Sequence, residues 1–522
     1  MSSSEEISRR DFLKRSGVLL TAASTLPLFA PSVGAASGRK SVVRLASRSP
    51  GKLTPGLVNS DASTVLNTVV YDWMFRLKHV GDKWNSNQKN KLVPSLVKEY
   101  EHSDDATRWT FKVREGVKFH HGTELTAKDV VYTFNYHLDP DISSVFKTNI
   151  KHINRIEQDD KYTATFHLSQ PDPDLPKQMI DQNAMIIAHD YDYQKFGETE
   201  PSGTGAFQVE KFRPNEKITL KKNPDYFLSG VPFVDRLEYV ISPDRASQVM
   251  LLQAGDVDGV PHLSPYYAQE LENKKDIRVL SIGSSAQTPI SMRVDRPPFD
   301  DNRVRLAMKY CVDRQLMLDQ TIYGKGSIGH DHPISSVFQW YKDLGTRQRD
   351  VEKAKELLAK AGHGNGLDVK LYYANNISPI SEVVMNFQQM AKPCGINVEL
   401  MGSSRNVYLS KYWRNVDLMC TKWAHRETPI NLLKVAYKSN GPWNEGHFKS
   451  DQLDNLIDKA ASEINHEKRQ EYFTSIQKLL REEGPSIIPI FTGYNAGVKT
   501  RIKDYWMARN DMPDIRFVKI NK

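Results

Sequence analysis

The run Trp109-Thr110-Phe111-Lys112-Val113-Arg114-Glu115-Gly116-Val117-Lys118-Phe119-His120, continued by Thr126-Ala127-Lys128-Asp129-Val130, is the most informative stretch of the chain. Trp109, Phe111 and Val113 alternate with Thr110, Lys112 and Arg114, the period of a strand with one buried face, and Glu115-Gly116 punctuates its end. Thr126 and Asp129 read as a capping box, and Val130, Val131, Phe134 and Leu138 behind them fall on one helical face. A strand, a turn and a helix thus follow one another within thirty residues.

Working outward, the same two periods recur. Alternation returns at Tyr162, Ala164, Phe166 and Leu168 and around Ile218 and Leu220. From about Ser285 onward, strand-like pieces such as Val369-Lys370-Leu371-Tyr372-Tyr373 alternate with helices. Asp350 can cap a helix carrying Val351, Ala354, Leu357, Leu358 and Ala361, with Gly362 as terminator, and Ser450 another with Leu453, Leu456, Ile457 and Ala460 inward. Such alternation predicts an α/β lobe. The closing strand-like text, Ile487-Ile488-Pro489-Ile490-Phe491 and Gly497-Val498, is too short for a lobe of its own and is expected to complete the first. No repeat and no low-complexity linker intervenes, which predicts lobes joined by ordered crossing strands. The expected division is 1–36 as a leader, 37–284 as the first lobe with a β-rich subdomain, 285–488 as the second, and 489–522 as a return to the first.

At 522 residues the chain exceeds what one hydrophobic core serves, and 39% hydrophobic with 26% charged residues describes a folded protein. Lys plus Arg (71) exceed Asp plus Glu (63), but no basic block tracks phosphates, so no nucleic-acid partner is expected. Three separated cysteines exclude a zinc module or a disulfide scaffold; Cys311 shares an apolar face with Val304, Ala307 and Met308, and Cys394 and Cys420 are the candidates for a single disulfide. ATPase, zincin and nucleophile-elbow motifs are absent, and no catalytic residue or cofactor is expected. His120-His121 cannot both face one metal from a straight strand, and His330-Asp331-His332 offers too few converging ligands, so no metal site is expected.

Ser8-Arg9-Arg10-Asp11-Phe12-Leu13-Lys14, an apolar stretch from Gly17 to Ala30 and small residues at Val33-Gly34-Ala35-Ala36 resemble a twin-arginine signal peptide cut after Ala35 or Ala36. This implies the twin-arginine export machinery as a partner and the periplasm as destination. No cysteine follows the apolar segment, so no lipid anchor is expected.

Several collinear blocks resemble the extracellular solute-binding protein family 5 of ABC importers, the group of dipeptide-, oligopeptide- and nickel-binding proteins. They are Leu92-Val93-Pro94-Ser95-Leu96 with the opening run, in which His121 stands where Asp is usual; Gly203-Thr204-Gly205-Ala206-Phe207 with Asn223-Pro224-Asp225-Tyr226-Phe227; Gln253-Ala254-Gly255-Asp256-Val257-Asp258; and Pro298-Phe299-Asp300 with Arg303-Val304-Arg305-Leu306-Ala307 and Asp313-Arg314. The resemblance implies a two-lobed periplasmic binding protein, type II-like (class C). It would close on a small-molecule or oligopeptide solute, act as a monomer, and dock on ABC permease subunits served by a separate ATPase chain.

The resemblance also directs attention to a loop after a tryptophan in the second lobe, Trp423-Ala424-His425-Arg426-Glu427-Thr428-Pro429. Thr428 stands where peptide binders carry an Asp for the α-ammonium, and a neutral hydroxyl cannot compensate a buried ammonium. Arg426 offers a planar fork for carboxylate, phosphate or vicinal hydroxyls, and Glu427 could hold an amine; the alternative is that the two pair with each other or with solvent. Trp423 is either a core anchor or a stacking wall. Thr54, in Leu53-Thr54-Pro55-Gly56, and Tyr494 with Asn495 are further cleft candidates, each equally readable as turn or packing residues. Two competing readings are a nickel or metal-chelate carrier and a secreted hydrolase with Glu427 and His425 as acid and base.

Overall fold

The computed structural model describes residues 41–58, 60–78 and 91–521. The leader expected over residues 1–36 lies outside them.

The opening stretch folds as its pattern dictates. Trp109, Phe111 and Val113 are buried on one face of the strand Arg108–Val113, which lies between Val97–His102 and Thr163–Leu168 in a four-stranded sheet completed by Ile153–Gln158. Asp129 accepts from the Thr126 backbone N–H at 2.8 Å, closing the capping box of the helix Ala127–Leu138. That helix seats Phe134 edge-on against Phe166, ring centroids 5.0 Å apart, so helix and sheet share one core.

The same core extends to a mixed eight-stranded sheet. Its path runs Ile277–Gln287, Ile490–Lys499, Gly259–Leu263, Val42–Ser47, Arg236–Ile241, Lys217–Lys222 and Phe207–Arg213, with Gly326–Ile328 added on Ile490–Lys499. A second core lies under a five-stranded sheet ordered Ile396–Ser403, Leu367–Ala374, Leu418–Cys420, Ile290–Met292 and Ser486–Ile487. The helix Val351–Lys360 packs there through Ala354 and Leu358, capped by Asp350 and followed by Gly362 at φ +90°. Ser450 caps Asp451–Ser462, whose Leu453, Ile457 and Ala460 join a third core with Trp340, Trp423 and Phe473.

The two large sheets are one chain at two places. Ile277–Gln287 leaves the first sheet and, after Thr288-Pro289, becomes Ile290–Met292 of the second; Ser486–Ile487 returns through Ile488-Pro489 into Ile490–Lys499. These strands join the two lobes of a mixed α/β fold. Beside the return crossing, the carboxylate of Asp331, itself at φ +60°, accepts from the Ile488 N–H at 3.2 Å and is paired with Arg314 at 2.6 Å and Arg347 at 3.4 Å, all buried. Arg314 therefore braces the crossing, Asp313 caps the helix Arg314–Ile322 through the Leu316 N–H, and Arg303 and Arg305 bond Asp301 and the carbonyls of Phe299, Asp300 and Glu483. All three thiols are free and buried, and Cys394 neighbours Cys311, not Cys420.

Candidate functional site

The segment from Trp423 to Thr428 leaves the strand Leu418–Cys420 and ends as the cap of the helix Pro429–Ala436, with Pro429 pre-set for its first turn. Its start is pinned to the crossing strand: Trp423 N–H donates to the Gln287 carbonyl at 2.8 Å and Gln287 N–H to the Trp423 carbonyl at 3.0 Å. The Trp423 ring is buried beside Trp443, centroids 5.8 Å apart, which makes it the core anchor. One turn on, Ser285 N–H donates to His425 Nδ1 at 3.1 Å, so the ring proton resides on Nε2, which faces Glu427 Oε2 at 3.7 Å. The Ser285 hydroxyl accepts from Arg426 N–H at 3.2 Å, and the Tyr494 hydroxyl from His425 N–H at 3.3 Å. Both crossing strands thus hold the loop's backbone, and its side chains are free to face the gap between the lobes.

They face a cavity of about 200 Å³. His425, Arg426, Glu427 and Tyr494 border it from the second lobe and the crossing strand, and Asp61, Asp181, His262, Asn510 and Asp511 from the first lobe and the C-terminal tail. Glu427 Oε1 accepts from Asn510 Nδ2 at 2.7 Å, so this carboxylate is committed across the gap and does not pair with Arg426. Among the described residues the Arg426 guanidinium makes no hydrogen bond or ion pair of its own. It acts on Asp181, whose carboxyl is pushed up by burial, opposed by Arg426 and reinforced by Glu427.

The first-lobe wall is a charge ladder. Burial presses the Asp61 carboxyl upward, but His262, Arg245 and Arg48 outweigh it and hold it well below the usual range, with both guanidinium contacts at 2.5 Å. Burial likewise opposes protonation of His262, and Asp511, 2.9 Å from its Nδ1, outweighs that and raises it. His262 Nε2, Asn510 Oδ1 and Asp511 Oδ1 are buried without partners.

A second cavity of about 270 Å³ adjoins the first through Asn431 and is bordered by Thr428, Lys434, Asp172, Asp174 and Arg469. Thr428 is 2% exposed and donates to Asn431 Oδ1 at 3.1 Å, so it borders this neighbour and not the first cavity. Arg469 on the helix His466–Glu483 reaches the first lobe's Asp174 at 2.5 Å, both side chains 4% exposed. Arg469 also donates to the Ala460 carbonyl at 2.7 Å and lies 4.9 Å over the Trp340 ring. Burial presses Asp174 upward, but Lys177 and Arg469 hold it below its ordinary range.

Besides Trp423, two expected cleft residues border neither cavity. Thr54 is buried and donates to Glu198 at 3.2 Å, because its turn packs onto Gly197 and the buried His137. Asn495 is buried in the eight-stranded sheet, accepting from the Ser281 hydroxyl at 2.7 Å. His332 is buried and pushed down to about 3, chiefly by burial, and Asp331 is spent on two arginines, so that trio does not form a ligand set.

Asp61, Asp181, His262, Asn510 and Asp511 escaped the sequence reading. For the last two a signal existed: Asn510-Asp511-Met512-Pro513 is turn text, and Asp511 adopts φ +67° in the hairpin between Trp506–Met507 and Pro513–Asp514.

Residues 91–442 match the family model described as bacterial extracellular solute-binding proteins, family 5 Middle. The chain is similar to the oligopeptide-binding protein AppA of Bacillus subtilis (24% identical, over 94% of this chain and 97% of that protein) and to the glutathione-binding protein GsiB of Escherichia coli (25%, over 83% and 86%). Among solved structures it is similar to HbpA2 from Haemophilus parasuis, with TM-score 0.81 and 20% identity over 93% of this chain and all of that one.

Proposed function

The chain belongs to the bacterial extracellular solute-binding proteins of family 5 and is the non-catalytic solute-binding component of an ABC importer, and on that premise we propose that its solute is polar, carries an anionic group, and is anchored on Arg426 in the interlobe cavity. The supporting observation is the Arg426 guanidinium, which borders the cavity with no side-chain partner among the described residues, whereas Asp61, His262 and Glu427 each have one. A planar fork that closes with nothing to bind is matched to a carboxylate or to paired oxygens. Asp181 and the unpartnered acceptors of Asn510 and Asp511 suit an amine or hydroxyl at the solute's other side. A peptide-like solute meets these demands, in keeping with what AppA and GsiB are named for.

Transport then works by closure about the Thr288-Pro289 and Ile488-Pro489 crossings. Solute must bind the closed form better than the open form, since equal affinity would shift nothing. We take residues 37–284 with 489–522 as one lobe and 285–488 as the other, residues 1–36 as a twin-arginine leader, and the periplasm as the working compartment. Among the described residues no helix is long and apolar enough to cross a membrane.

Mass spectrometry of the compound released from protein isolated by osmotic shock identifies the solute. The expected result is an unmodified anionic or zwitterionic compound whose binding contracts the radius of gyration in small-angle scattering. A neutral compound bound equally well by Arg426→Ala, or an unchanged radius at saturation, defeats the reading.

A further inference from the structure

His121 and His189-Asp190 border neither interlobe cavity. The capping box places Asp129 at the start of the helix Ala127–Leu138 with its carboxylate 1% exposed; Oδ2 takes the Thr126 N–H and hydroxyl, and Oδ1 faces His189 Nδ1 at 2.7 Å and also accepts its backbone N–H at 3.0 Å. One ligand atom each from Asp129, His189 and Asp190 lies within 4.8 Å of the others. His121 brings Nε2 to 3.3 Å from Asp190 Oδ1.

From these positions we infer that His121, His189, Asp190 and Asp129 form a divalent-metal site on the first lobe, suited by its donors to zinc. Asp129, His189 and Asp190 already converge, and with His121 drawn in from its place beside Asp190 they make a four-coordinate N/O set whose charge cancels that of the ion. Tetrahedral zinc with ligands at about 2.0–2.1 Å sets neighbouring donor atoms about 3.3 Å apart, and His121 and Asp190 already stand at that separation.

The surroundings are those of a ligand set. His121 Nδ1 lies 2.6 Å from the Ser202 hydroxyl, which orients the ring and leaves Nε2 facing Asp190. No Lys or Arg pairs with either carboxylate among the described residues. The side chains of His121, His189 and Asp190 are 21%, 28% and 36% exposed, so an ion can reach them from solvent. Without an ion, the Thr123 hydroxyl, 2.7 Å from His121 Nε2, and the Asp129–His189 contact occupy the donors; binding displaces both. His120, next in sequence, turns the other way to the Gly205 carbonyl.

Zinc sulfate titrated calorimetrically into the metal-stripped mature chain tests this. One zinc per chain with micromolar or tighter affinity is expected. His121→Asn and Asp190→Asn should each weaken it at least tenfold while leaving the circular dichroism spectrum and melting midpoint of the metal-free protein unchanged. Cobalt in place of zinc should give the intense visible bands of a four-coordinate ion, lost in both variants. Absence of saturable binding, undiminished binding in the variants, or octahedral cobalt spectra would each overturn the site.

Discussion

The two ends of the interlobe gap use the same chemistry in opposite states. At one end Arg469 meets Asp174 across the gap through Nη2, with Nε on the Ala460 carbonyl and its face on Trp340. At the other end, among the described residues, the Arg426 guanidinium has no partner, and His262, Asn510 and Asp511 present atoms without partners. A guanidinium paired across the gap holds lobes together; an unpaired one waits for cargo. Buried polar atoms left unpaired cost about 1–3 kcal/mol each, so the second end becomes favourable only when a molecule fills it.

The sharpest way to break this contrast is Asp174→Ala, which strands Arg469 in a buried position. A loss of about 3–5 kcal/mol is expected in chemical denaturation, together with a larger radius of gyration without solute. A loss below about 1 kcal/mol, on the scale of an exposed pair, would mean that this end is not a clasp. Arg426→Ala should behave oppositely. Folding stability stays within about 0.5 kcal/mol of the parent, while calorimetric affinity for the co-purified solute drops by about 1.5–3 kcal/mol, the worth of a charge-assisted hydrogen bond. Equal losses of stability in the two variants would erase the distinction.

Asn510→Ala removes the tail's amide from Glu427 and tests whether the C-terminal hairpin belongs to the solute end. A weakening of about 1 kcal/mol in binding is expected, and unchanged binding would leave the hairpin a spectator. The smallest effect is a pH dependence. Because Asp511 raises the pKa of His262, the stabilisation from this pair is complete below the ordinary histidine range and is lost as pH rises through the folded-state value. Asp511→Asn should remove that slope from a plot of melting midpoint against pH, and persistence of the slope would assign it to another group.

Local features of the fold were legible because they depend on near neighbours. The Trp109-Phe111-Val113 face, the Thr126–Asp129 box and the caps at Asp350 and Ser450 are all spelled within a few residues. The Trp423–Thr428 loop was legible through resemblance, and four of the eight expected residues border the first cavity. Thr54 and Asn495 misled because a polar residue in a turn or a strand reads alike whether it meets solute, Glu198 or Ser281. The opposite wall was illegible for a different reason: Asp61, His262 and Asp511 are separated by hundreds of residues and meet only through the eight-stranded sheet and the tail. His121 was illegible in the same way, since its partner Asp190 lies 69 residues further along the chain.

Each interlobe crossing ends on a proline, Pro289 in one direction and Pro489 in the other. Proline carries no amide hydrogen, so the ladder has no donor at these steps for bending to strand. Repeated opening and shutting can therefore be concentrated where flexure is least damaging, and a carrier built this way need not rebuild its pleats on every delivery.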